Sequence, residues 1–177
     1  AYITFTTSNV GSAVDTEDIL GVTYAVLLDT ATIVEPAGLG SLLGSLLTGL
    51  TETAGIVPDD YDSDAETLTF FGGLINAEGD GYTQECEETI AFGEEIDFSS
   101  NPFFELEADE LSIAAAGIEI TLEDLELSGA FTPDGSDIVG ITLAGLIDTR
   151  ALLDALGDEL GAGEGDDAAC NLLKQFT

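Results

Sequence analysis

The sequence predicts a mainly β fold, a sheet or a β-sandwich, carrying a Leu-rich amphipathic helix and one or two C-terminal helices. Three observations predict it. Apolar and polar residues alternate with period two, most clearly over 105–148. β-Branched and aromatic residues gather over 21–34. One segment, 38–50, instead repeats leucine at helical spacing. Residues 1–177 read as a single secreted domain, and a hydrophobic content of 45% supplies the core that disordered acidic chains lack.

The first element is AYITFTT (1–7), a strand with Ile3 and Phe5 on one side and Tyr2, Thr4 and Thr6 on the other. GVTYAVLLDTATIV (21–34) reads as one or two strands, ended by Pro36. GLGSLLGSLLTGL (38–50) follows without a single charge. Leu39, Leu42, Leu43, Leu46, Leu47 and Leu50 form one helical face, and Gly40, Ser41, Gly44, Ser45, Thr48 and Gly49 form the other. Glycine costs a helix about 1 kcal/mol relative to alanine. A water-facing helix would use Glu or Lys there; small residues let another backbone come close, as in the Gly40-xxx-Gly44 spacing. The second face is therefore expected to be covered by the domain's own sheet, a neighbouring subunit or a lipid-like ligand.

TLTFFGGLI (67–75) reads as a strand with a Gly-Gly break, and 76–103 as irregular and acidic. Over 105–148, Ile118, Ile120 and Leu122 alternate with Glu119 and Thr121; the phase then slips at Glu123-Asp124, which predicts a bulge or a tight turn. A strand at 125–132 pairs with one at 138–147 across the turn Pro133-Asp134-Gly135-Ser136. RALLDALGDELG (150–161) reads as a helix and GAGEGDD as a loop. Asp166 or Asp167 can cap a last helix, AACNLLKQF, with Lys174 near its C-terminal end.

The run LEDLELSGAFTPDGSDIVGITLAGLIDTRALLDAL, with a later lone cysteine, resembles acidic secreted proteins and lipoproteins of marine bacteria. That resemblance covers the C-terminal third. It implies an extracellular location and a β-rich fold, and it brings no catalytic residues.

Charge narrows the partners. With 36 acidic residues against Arg150 and Lys174, the net charge is −34. Such a surface repels nucleic-acid phosphates and anionic headgroups, attracts cations, and strains the compact state at low salt. Adaptation to salty surroundings, where screening shortens to about 3 Å near 1 M, is one account of it, and divalent cations that bridge carboxylates as part of the structure are the other. No run of about 18 apolar residues offers a transmembrane segment. The sequence starts at Ala1 without a Met and reads as a mature chain after signal cleavage, its ends docked on itself or on a neighbour. In a secreted chain Cys86 and Cys170 are expected to form one disulfide, closing a loop of roughly 84 residues worth about 4–5 kcal/mol. Two buried free thiols are the alternative.

The absence of histidine removes Ser-His-Asp and Cys-His catalysis and histidine metal sites. No nucleotide-binding glycine motif occurs. Among 36 carboxylates some pair is always close, and with no Trp and 7% aromatic content a sugar-stacking cleft is not expected. The chain reads as no enzyme and as needing no certain cofactor. Calcium is the metal to test, because hard cations prefer oxygen ligands. NAEGDGYTQECE (76–87) places Asn76, Glu78, Asp80, Gly81 and Glu87 at EF-hand-like spacing, without the usual Asp at the first position and without two flanking helices. DDYDSDAE (59–66) sets Asp60, Asp62, Asp64 and Glu66 on one side if extended, either as a cation cluster or as a solvated acidic loop.

Three functions fit. The first is a structural subunit that assembles with copies of itself into a filament, pilus or surface layer. Its candidate surfaces are the strand with Ile3 and Phe5 and the leucine face Leu39, Leu42, Leu43, Leu46, Leu47 and Leu50. The second is a secreted carrier of a hydrophobic or lipid ligand, and the third a calcium-dependent adhesin or matrix module.

Overall fold

The computed structural model describes residues 2–4, 12–28, 31–35, 52–78, 81–84, 90, 92, 95–115 and 118–147. Phe5, the helix expected over 38–50 with Leu39, Leu42, Leu43, Leu46, Leu47 and Leu50, Asp80, Cys86, Glu87, Cys170 and the one or two expected C-terminal helices lie outside these residues. The elements in order are β1 (Tyr2–Thr4), α1 (Thr16–Ile19), β2 (Tyr24–Val26), β3 (Ile33–Glu35), β4 (Glu52–Asp62), β5 (Thr67–Glu78), β6 (Gly81–Gln84), β7 (Ile96–Asp97), β8 (Phe103–Ala115), β9 (Ile118–Phe131) and β10 (Ile138–Ile147). They form two five-stranded sheets. Sheet A has the order β3-β1-β10-β9-β8; sheet B has β2-β4-β5-β6, with β7 also paired to β5. The strand pairings are antiparallel.

The two sheets pack face to face over one apolar core, a β-sandwich. Val26, Ile56, Leu68 and Phe70 of sheet B meet Phe104, Leu106, Leu125, Leu127 and Phe131 of sheet A in a single buried cluster. Phe131, fully buried, is its hub. Its ring lies 5.0 Å from Phe104, 5.4 Å from Tyr24, 6.0 Å from Phe98 and 6.4 Å from Phe70. The Phe70 ring stacks on it while the other three are tilted or edge-on, and aromatic pairs of these kinds add about 0.5–1.5 kcal/mol each beyond area burial.

The expected β9–β10 hairpin is present, and local chemistry closes it. The Thr132 N–H donates to the Asp137 carbonyl (2.9 Å), and Asp134 accepts from the Thr132 hydroxyl (2.8 Å) and the Ser136 hydroxyl (2.9 Å). Those hydroxyls hold the Asp134 carboxyl below the usual carboxylate range. Gly135 sits at φ +67°, where an added Cβ would meet the Asp18 carbonyl oxygen at 3.0 Å. The turn thus docks on α1, whose N-cap Asp15 accepts from the Glu17 N–H (3.1 Å). The phase slip at Glu123-Asp124 is a bulge: Glu123 pairs with Leu146 and Glu126 with Ala144, and Asp124 has φ +49°.

Two sequence expectations are corrected, and the first of the three that follow, one or two strands over 21–34, is narrowed to two. Residues 21–34 hold two strands, and they belong to different sheets. The Gly-Gly pair does not break β5, because Gly72 and Gly73 pair in register with Ile56 and Gly55. Residues 76–103 are not merely irregular, since they carry the end of β5, then β6, β7 and the start of β8. In each case ladder partners supply the order that the local pattern lacks.

Candidate functional site

The two acidic clusters singled out by sequence lie at opposite ends of the β4–β5 hairpin. Asp62 pairs with Thr67 at one end, and Asn76 with Glu52 at the other. Nine residues of strand separate these ends, roughly 30 Å at about 3.3 Å per residue. At the first end the carboxylates serve the turn. Asp62 Oδ1 accepts from the N–H groups of Asp64 (2.8 Å) and Ala65 (3.1 Å), and Asp60 Oδ1 from that of Tyr61 (2.9 Å). At the second end the backbone is a tight hairpin: Asn76 pairs with Thr83, and Glu78 with Gly81. An EF-hand loop coils round its ion, whereas these first and third positions stand in an antiparallel ladder. Among the described residues, no three Asp, Glu, Cys or His side chains gather as a metal-holding group.

The strand bearing Ile3 occupies an interior slot. Tyr2, Ile3 and Thr4 pair with Ala144, Leu143 and Thr142 of β10 on one side, and Tyr2 and Ile3 with Glu35 and Ile33 of β3 on the other. Three residues thus join β3 to the rest of sheet A.

A groove of about 710 Å³ lies on the outer side of sheet A beside β7. Its floor is one register row across three strands, Phe103 opposite Ala130 opposite Val139. Phe103 leaves 52% of its surface in water. Gly140 and Ser128 keep the neighbouring floor low. Along the β8 and β7 sides stand Glu105, Glu107, Glu95 and Asp97, all exposed. Asp97 is held by Ser99, whose side chain and backbone N–H (2.8 Å) keep its carboxyl below the usual carboxylate range. Thr67 Oγ1 donates to Glu95 Oε2 at 3.5 Å.

Sequence reasoning missed this groove. The alternation of FFELE (103–107) put Phe103, Glu105 and Glu107 on one face, and SGA (128–130) signalled a low surface. Only the register of β8 on β9 joins the two signals. Among the described residues no helix is long and apolar enough to cross a membrane. The chain matches no known protein family, no curated protein and no solved structure.

Proposed function

We propose that the chain is a non-enzymatic extracellular structural subunit that assembles with copies of itself by exchange of β1. The observation that carries the reading is the slot of β1. A strand of three residues fills an interior position of sheet A, between β10 and β3. Withdrawing it leaves β10 with an open edge at Thr142–Ala144 and takes from β3 its described partner. An unpaired edge is a template for another strand, and an identical strand from a neighbour restores every lost contact. Head-to-tail exchange that does not close into a ring gives a filament.

The net charge of −34 opposes contact between copies, so assembly requires salt or bridging cations. Calcium, which binds carboxylate oxygens, suits that role. The same acidity and the two cysteines support an extracellular setting.

The test is negative-stain electron microscopy of the intact chain and of a chain lacking residues 1–7, each with calcium and with EDTA. Filaments or sheets from the intact chain and none from the shortened one are expected. A synthetic peptide of residues 1–7 should occupy the open slot and cap growth. Normal polymers from the shortened chain would sink strand exchange, and dispersed particles under every condition would sink self-assembly itself.

A further inference from the structure

We infer that the groove on the outer side of sheet A binds an organic cation with an apolar body, of the alkyl- or arylammonium class. This site is separate from the β1 slot, and it stands or falls independently of strand exchange. The floor selects an apolar body. Phe103, Ala130 and Val139 share one register row; Ala130 and Val139 are buried in it, and Phe103, which leaves 52% of its surface in water, is the member that a ligand can reach. A bare metal ion gains nothing from such a floor, since it needs converging oxygens. The walls select a positive head. Glu95, Asp97, Glu105 and Glu107 line the groove. An ammonium over the face of Phe103 gains from the ring quadrupole as well as from these carboxylates. A second copy of this acidic chain brings the same charge to the groove and is disfavoured there. A volume of about 710 Å³ suits a small molecule. Apolar floor and acidic wall together set this place apart from carboxylates scattered over the rest of the surface.

The experiment is an amide NMR titration of the intact chain with benzyltrimethylammonium chloride at constant ionic strength. Saturable shifts confined to residues 95–107 and 128–140 are expected. Tetramethylammonium, which lacks the body, and benzyl alcohol, which lacks the charge, should each bind about tenfold more weakly or less. Phe103→Ala should weaken binding about tenfold and Phe103→Leu less, and the pair Glu105→Gln with Glu107→Gln should weaken it similarly. The pair Asp59→Asn with Asp64→Asn removes the same charge elsewhere and should leave binding unchanged. Three results would overturn the site: unsaturated shifts spread over the acidic surface, a Phe103→Ala chain that binds as well as its parent, or an equal loss in the remote pair. Phe103 is exposed, so its variants should keep the parent spectrum outside the groove.

Discussion

Tyr24 ties the two sheets together through one oxygen. Its hydroxyl donates to the Gly135 carbonyl at 2.6 Å, and its ring tilts against Phe131. Burial, with the carboxylates of Asp137, Asp134 and Asp18 adding to it, pushes the phenol from 10.0 up to about 12. Between those values the folded chain keeps a proton that the unfolded chain has released. The stabilisation is therefore complete below pH 10 and is lost as pH rises towards 12. Tyr24→Phe should cost about 1–2 kcal/mol at pH 7, because the Gly135 carbonyl loses its partner. It should also flatten the fall of the urea midpoint between pH 10 and 12. An unchanged alkaline fall in the variant would assign that loss to another group. Gly72 is a second single-residue constraint. A Cβ there would stand 2.5 Å from the Phe92 ring and 2.7 Å from the Ile90 carbonyl oxygen. Gly72→Ala should destabilise by about 1–3 kcal/mol, and adding Phe92→Ala should not restore the loss, since the backbone oxygen stays in the way. Full recovery in that double variant, read from urea midpoints, would show the ring to be the whole obstacle.

At the scale of elements, the segment before α1 is fastened by one side chain. Asn101 Oδ1 accepts from the Val14 N–H, and its Nδ2 donates to the Val14 carbonyl, both at 2.9 Å. The amide imitates a strand partner across 87 residues of sequence. Asn101→Ala should cost about 1–3 kcal/mol. Hydrogen exchange should quicken at Val14 while the β9–β10 amides keep their protection; equal protection at Val14 in both chains would refute the clamp. The same scale explains what the sequence shows. The β9–β10 hairpin was legible because its turn residues, its alternation and the slip at Glu123-Asp124 are local. β4 was not, because Ala54, Gly55 and Ile56 are all buried in succession and give no alternation, and Pro58 with its acidic neighbours reads as a loop. α1 is four residues long, too short for a periodic signal. The groove floor joins β8, β9 and β10, and the bulge that pairs Val139 with Ala130 but Thr142 with Ser128 sets which residues share its row. A strand register across 36 residues of sequence is a tertiary fact, and local pattern does not encode it.

For the whole molecule the governing quantity is a charge of −34 on a sandwich whose core, among the described residues, buries no polar or charged side chain. Apolar burial holds the fold together, and the carboxylates outside push it apart. Unfolding spreads those charges, so the repulsion acts against the compact state most strongly where screening is weak. The screening length shrinks from about 10 Å at 0.1 M to about 3 Å at 1 M salt. Stability should therefore rise steeply with sodium chloride below about 1 M and flatten beyond it, once neighbouring carboxylates no longer sense one another. Salting of apolar surface has a different form: it continues to grow with concentration and is stronger for sulfate than for chloride at equal ionic strength. Urea midpoints in sodium chloride and sodium sulfate, measured from 0.05 to 3 M, separate the two. A saturating curve shared by both salts at matched ionic strength follows from self-repulsion. A rise that continues linearly to 3 M, and is steeper in sulfate, would make burial rather than charge the source of the salt requirement, and the acidic surface would then need another reason to exist.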